Sequence, residues 1–200
     1  MRLLIATGIF PPDIGGPATY SALLARELPK RNIAVSIVTY GKAGISRRIP
    51  KGLRHLLYFF LCFMKALRAD VVFSQDPVSA GFPAYFAARL ARRKFALRVA
   101  GDYAWEQATQ KYGVRDSIDS FQDKTYGGRA ERLRRIQRFV VRHADLVITP
   151  SKYFQNLVQK WTPRKERVRV IYNGIELPPI PTSDISHPTS KIIFSAGRLV

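Results

Sequence analysis

Two adjacent glycines stand in the segment that joins the first predicted strand to the first predicted helix. The segment covers residues 11–19 and contains Gly15 and Gly16. Glycine lets the backbone approach a ligand closely, and a helix start offers free N–H groups and the positive end of the helix dipole. Phosphate is the ligand that such a loop favours, although a tight turn without a ligand explains the glycines equally well. The spacing is not the GxGxxG pattern of dinucleotide-binding proteins.

Polar and aromatic side chains follow two further predicted strands. Gln75 and Asp76 come directly after the third strand, so they could line a cleft, or Asp76 could simply form an Asx-type turn. Tyr103, Trp105 and Glu106 follow the fourth strand. An aromatic ring can cover an apolar sugar face while a carboxylate accepts hydrogen bonds from hydroxyls, which predicts a sugar site. Trp105 could equally belong to the core.

Short apolar runs typical of buried strands alternate with segments of helical spacing. The predicted strands cover 3–6, 34–39, 70–73, 95–100, 145–149, 167–171 and 191–196, and the predicted helices 19–28, 53–68, 79–91, 129–143 and 151–161. Alternation with almost wholly apolar strands predicts an α/β fold, a Rossmann-like doubly wound parallel sheet. The residues 102–128 lose this periodicity and are predicted to form a long loop with at most a short helix.

The chain is strongly basic. Its 200 residues carry a formal net charge of +19, which predicts a polyanionic partner. Basic residues flank the apolar segment 53–67, which is too short to span a membrane but could lie on an anionic membrane surface. Packing of this helix on the sheet is the alternative. The single cysteine, Cys62, excludes an internal disulfide and suits the cytoplasm, where the protein would be soluble or peripheral on the inner face of the membrane.

Other function classes lack their signatures. The sequence contains no helix-turn-helix, zinc or RNP pattern, so specific nucleic-acid binding is not expected despite the charge. No acidic residue ends the second predicted strand, which argues against a nucleotide-dependent oxidoreductase. The histidines have no partners at metal or triad spacing, so no role is assigned to them. A basic module that binds nucleic acid or anionic membrane without catalysis remains the alternative to an enzyme.

Four ordered motifs give a resemblance. They are Gly15-Gly16 between strand and helix, the segments 145–151 (DLVITPS) and 171–175 (IYNGI), and 194–199 (FSAGRL). In this order and spacing they resemble glycosyltransferase family 4 (group 1), a large retaining family with the GT-B fold. The segment 101–106 (GDYAWE) is similar to members that build cell-surface polysaccharides or glycolipids.

The resemblance implies a domain organisation. An acceptor-side, Rossmann-like N-terminal domain would cover 1–176, an interdomain linker 177–190, and the start of a truncated donor-binding domain 191–200. A sugar would pass from a nucleotide-sugar donor, as co-substrate, to a glycan or lipid-linked acceptor, as in hexosyltransferases. The resemblance implies neither a metal nor another cofactor. The acidic motif that contacts the donor sugar belongs to the second domain, so the fragment is expected to be inactive alone.

The resemblance also implies residue roles. Gly15, Gly16 and Arg198 would contact the donor diphosphate, although Arg198 could be a solvated arginine at a strand end. Many members carry a histidine after the fourth strand, where this chain has Asp102. Asp102 is therefore the candidate catalytic residue, or else it caps a turn. The predicted acceptor-binding residues are Gln75, Asp76, Tyr103, Trp105 and Glu106.

Overall fold

The computed structural model describes residues 1–41, 44–46 and 48–174. The predicted linker, the predicted strand 191–196 and Arg198 lie outside these residues.

Six parallel strands form one sheet. They are β1 (Arg2–Thr7), β2 (Ala34–Thr39), β3 (Val71–Ser74), β4 (Lys94–Arg98), β5 (Leu146–Thr149) and β6 (Val168–Val170). Their order across the sheet is β2-β1-β3-β4-β5-β6. The chain therefore moves one way from β1 to β2 and then crosses back to β3. Because such crossovers are right-handed, the helices on either side of this reversal cover opposite faces of the sheet. The predicted α/β, Rossmann-like doubly wound fold is confirmed.

Seven α-helices accompany the sheet in the described residues. They are α1 (Gly16–Glu27), α2 (Lys51–Ala66), α3 (Gly81–Leu90), α4 (Tyr103–Tyr112), α5 (Ile118–Asp123), α6 (Gly128–His143) and α7 (Lys152–Gln159). Helix α1 begins three residues before its predicted start because Pro17, whose fixed φ suits a first turn, stands at its beginning.

The predicted long loop over 102–128 is wrong, since it contains α4 and α5. Asp102 caps α4 by accepting a hydrogen bond from the backbone N–H of Trp105, and Gly113 ends the helix with a left-handed φ of 71°. The two helices share a small second core with α6, formed by Ala104, Ala108, Phe121 and Ala130. Small alanines replace the large apolar residues whose periodicity marks an ordinary amphipathic helix.

Helix α2 is hydrogen-bonded to the ends of β1 and β2 through Tyr58. The hydroxyl of the fully buried Tyr58 lies 3.1 Å from the carbonyl oxygens of both Thr7 and Val38, near the ends of β1 and β2, and these two acceptors share its single proton. Burial raises the pKa of Tyr58 well above its usual value, so the hydroxyl remains a donor. This contact fixes the carboxyl edge of the sheet, from which the loops of the site extend. No helix in the described part of the chain has the length and apolarity to cross a membrane.

Candidate functional site

A cleft of about 770 Å³ opens at the carboxyl edge of the sheet. It lies beside the position where the strand order reverses, between β1 and β3, which is where open α/β sheets usually bind ligands. Its wall includes the segment after β1, the first turns of α1, the turn after β3, the end of β4 and the first residues of α4.

The glycine pair lies at the start of α1, as predicted. Gly15 has a φ of 154°, a conformation that favours glycine, and a Cβ there would also displace the tip of the Ile9 side chain, whose Cδ1 would lie 2.6 Å away. Gly16 lines the cleft, and a Cβ there would meet no atom within 4 Å. Within the described residues no side chain caps this helix, so its first N–H groups can bind an anion.

Asp76 lies in the wall of the cleft, but its carboxylate is hydrogen-bonded to the turn that follows it. It accepts hydrogen bonds from the backbone N–H groups of Val78, Ser79 and Ala80, at 2.6–3.2 Å, and from Oγ of Ser79 at 3.0 Å. Burial raises the pKa of Asp76, although these hydrogen bonds oppose the change. The Asx-type turn is thus the geometry found. A direct contact of Asp76 with an acceptor stays a prediction.

Gln75 and Arg98 form a polar pair at the base of the cleft, and both side chains are almost fully buried, at 3% and 4% exposed. Arg98 donates from Nη1 to Oε1 of Gln75 at 3.3 Å and from Nη2 to Oδ1 of Asn173 at 2.8 Å. The guanidinium of Arg98 stacks over the Tyr20 ring, with its Cζ 4.1 Å from the ring centroid. Gln75 was predicted here, whereas Arg98 was not singled out; the available signal was an arginine inside an otherwise apolar strand.

Tyr103 and Glu106 line the cleft from α4, and Trp105 does not. Burial and the nearby charges of Asp76 and Glu106 raise the pKa of Tyr103 to about 12, so it presents a neutral hydroxyl. The Trp105 ring packs against the second core, and its Nε1 donates to the carbonyl oxygen of Asp116 at 2.9 Å. Trp105 is thus partly buried against the second core, which fits its alternative, and its contact with an acceptor stays a prediction.

Asp102 is buried and is not part of the cleft wall. Its Oδ1 accepts from the backbone N–H of Trp105 and from Nε2 of Gln137, both at 3.0 Å, and its Oδ2 accepts from Nε2 of Gln122 at 2.8 Å. These hydrogen bonds join α4, α5 and α6 below the cleft. A catalytic role for Asp102 stays a prediction, and its observed position suits a residue that holds α4 in place.

The family model for Glycosyltransferase Family 4 matches residues 14–177, which include every cleft residue from Gly16 to Gly174. No curated protein matches the chain.

Solved structures share the architecture. The UDP-GlcNAc 2-epimerase of Methanocaldococcus jannaschii is 16% identical, with a TM-score of 0.57 over 85% of this chain and 45% of its own. The Neisseria meningitidis UDP-GlcNAc 2-epimerase bound to UDP-GlcNAc is 13% identical, with a TM-score of 0.57 over 85% and 45%. The S. aureus MnaA–UDP co-structure is 15% identical, with a TM-score of 0.55 over 85% and 43%. The chain spans less than half of each, and these likenesses show the fold.

Proposed function

Because the chain belongs to glycosyltransferase family 4, we propose that it forms the acceptor-side half of an enzyme that transfers a sugar from a nucleotide-sugar donor to a glycan or lipid-linked acceptor. The observation that carries the proposal is the cleft at the strand-order reversal, with an uncapped helix start at Gly16 on one side and hydrogen-bonding side chains on the other. The Neisseria meningitidis UDP-GlcNAc 2-epimerase, a structural neighbour, was solved bound to UDP-GlcNAc, which supports a nucleotide-sugar partner for this fold. Retention of configuration and a role in cell-surface polysaccharide or glycolipid synthesis belong to the same proposal.

The cleft residues suit the charge changes of such a transfer. As the bond to the leaving diphosphate breaks, negative charge grows on its oxygens, and the backbone N–H groups at Gly16 can stabilise that charge. Arg198 would add a bidentate contact from the other half. On the opposite wall of the cleft, Tyr103 can donate a hydrogen bond to a sugar hydroxyl, and Glu106 can accept one.

A pair of matched substitutions tests the proposed role of the glycine loop. Gly16→Leu places a leucine side chain in the cleft. Gly128→Leu places the same side chain at the start of α6, outside the cleft. At either position the new Cβ would meet no atom within 4 Å. Calorimetry with UDP-, GDP- and ADP-sugars would be run on this chain and on the full-length protein that the proposal requires. We expect one donor to bind tightly to the full-length protein only, and Gly16→Leu to weaken it at least about tenfold.

The control and the contrary results are clear. Gly128→Leu should bind the donor as the wild type does. Equal weakening by both leucine substitutions would contradict the role of the Gly16 loop. Absence of donor binding by the full-length protein would contradict the glycosyltransferase proposal itself.

We also propose that the outer face of α2 lies on an anionic membrane, as a lipid-linked acceptor would require. The helix buries one face through Tyr58 and Cys62 and exposes another that is equally apolar. The exposed large apolar residues of α2 and the turn after it are Leu53, Leu56, Leu57, Phe60, Leu61, Met64 and Leu67. A cluster of exposed apolar side chains on one helix often marks an interaction surface.

The charge around this face favours a lipid partner. No aspartate or glutamate occurs in residues 41–69 or 77–101, whereas exposed Arg48, Arg68, Arg89 and Arg92 stand in or beside these segments. Each basic residue near an anionic bilayer adds about 1 kcal/mol of attraction, and buried apolar side chains add to it. Basic charge with exposed leucine and phenylalanine is the composition of interfacial helices.

Cosedimentation with vesicles of phosphatidylglycerol and phosphatidylcholine tests the membrane proposal. We expect the wild type to bind and Phe60→Ser to bind about tenfold more weakly, because it removes a half-exposed ring from the apolar face. Tyr112→Ser is the matched control, since Tyr112 is exposed on α4. No binding at low salt, or equal loss in both variants, would contradict the proposal; equal binding to duplex DNA would favour the nucleic-acid alternative.

A further inference from the structure

Arg98 is a buried cation with no anionic partner among the residues that the structure describes. Arg98 is the last residue of β4 and is 4% exposed. Among the described residues, no carboxylate oxygen lies within 4 Å of its guanidinium nitrogens. Burial lowers the pKa of Arg98, because the charged form loses its hydration. A buried charge of this kind is costly unless an opposite charge compensates it.

The contacts that Arg98 makes leave hydrogen-bonding capacity unused. Gln75 and Asn173 accept one hydrogen bond each, through neutral amide oxygens. A guanidinium has five N–H donors, so others remain. Nε of Arg98 and Nε2 of Gln75 are buried, and no hydrogen-bond acceptor in the described residues reaches either of them. Two donor nitrogens of neighbouring side chains, Nε of Arg98 and Nε2 of Gln75, thus lack acceptors among the described residues.

The acidic residues of the cleft do not supply the missing charge. The Asp76 carboxylate is occupied by the N–H groups of its own turn. Glu106 lies against the backbone of Gly101, where an added Cβ would come within 2.3 Å of its Oε1. Neither forms an ion pair with Arg98 within the described chain.

We propose that Arg98, assisted by Gln75, binds a phosphate group carried by the acceptor. An arginine matches phosphate oxygens in pairs, and both Arg98 and Gln75 line the cleft. The assignment of this phosphate to the acceptor rests on the proposed function, in which this half holds the acceptor; the anion site itself does not. Asn173 and Tyr20 position the guanidinium.

Calorimetry at constant ionic strength tests the site with inorganic phosphate, glucose 1-phosphate and dihexanoyl phosphatidate, with glucose as the uncharged comparison. We expect phosphate-bearing probes to bind and Arg98→Gln to weaken them at least tenfold. A preference for glucose 1-phosphate would indicate a soluble sugar phosphate, and a preference for the phosphatidate a lipid headgroup. Arg132→Gln is the matched control, because Arg132 is exposed on α6 and its loss changes the net charge equally.

Two further variants separate binding from a structural role. Asn173→Ala removes one partner that positions Arg98 but keeps the cation, so it should weaken phosphate binding less than Arg98→Gln does. Arg98→Lys keeps a charge without the paired donors and should bind with intermediate affinity. Unchanged phosphate affinity in Arg98→Gln, or equal loss in Arg132→Gln, would overturn the proposal. If the full-length protein binds a nucleotide-sugar but no phosphate probe binds through Arg98, only this inference is refuted. If the phosphate probes bind through Arg98 but no nucleotide-sugar binds the full-length protein, only the proposed function is refuted.

Discussion

Replacing Asp102 with alanine is expected to lower the free energy of unfolding by about 3–5 kcal/mol. The substitution removes the acceptor of three hydrogen bonds, from the backbone N–H of Trp105 and the side chains of Gln122 and Gln137. Gln137 is 1% exposed, so water cannot readily replace the lost partner. Urea unfolding of the two proteins measures the difference.

A matched control comes from the same region. Asp123 is exposed at the end of α5, and Asp123→Ala should change the free energy of unfolding by less than about 0.5 kcal/mol. Similar decreases in the free energy of unfolding for both variants would show that the hydrogen bonds to the buried Asp102 do not contribute the expected stability.

Asp102→Asn separates positioning from catalysis. Asparagine keeps the shape, and its Oδ1 can still accept from the backbone N–H of Trp105 and from Nε2 of Gln137. Only the hydrogen bond from Nε2 of Gln122 loses its acceptor. If Asp102 holds α4 in place, Asp102→Asn should retain much of the free energy of unfolding, and much of the sugar transfer measured with the full-length protein that the proposal requires. If the carboxylate acts directly on substrate, Asp102→Asn should lose transfer while its free energy of unfolding stays near the wild-type value.

The sheet could be predicted from the sequence because its signal is local. Each strand is a short apolar run, and parallel strands buried on both faces leave few other arrangements. Helices α4 and α5 could not be found by the same test, since Ala104 and Ala108 bury little surface and give no strong periodicity. Their signals were at the ends, in Asp102 and Gly113.

The site was predictable in position but not in the direction of its side chains. Strand ends predicted that Gln75, Asp76 and Asp102 stand near one edge. Whether a side chain there faces the cleft or the interior depends on distant partners, and Asp102 is held by Gln122 and Gln137, 20 and 35 residues away. Arg98 depends likewise on Asn173, 75 residues away.

Gly81→Ala is expected to destabilise the protein by about 3 kcal/mol and to disturb the cleft. Gly81 begins α3 against the turn that follows β3, and a Cβ there would lie 2.1 Å from the carbonyl oxygen of Asp76 and 3.1 Å from its carbonyl carbon. Backbone cannot yield as a flexible side chain does, so the turn must shift. That turn carries Gln75 and Asp76, and phosphate binding should therefore weaken together with stability.

Gly52→Ala supplies the control for this prediction. Gly52 also stands in the first turn of a helix, α2, but a Cβ there would meet nothing within 4 Å. Alanine in place of glycine should stabilise the helix there by up to about 1 kcal/mol. Urea unfolding should thus give opposite signs for the two substitutions. Equal effects would mean that the turn after β3 can move freely, and a cleft wall that moves freely could not hold Gln75 in place for a ligand.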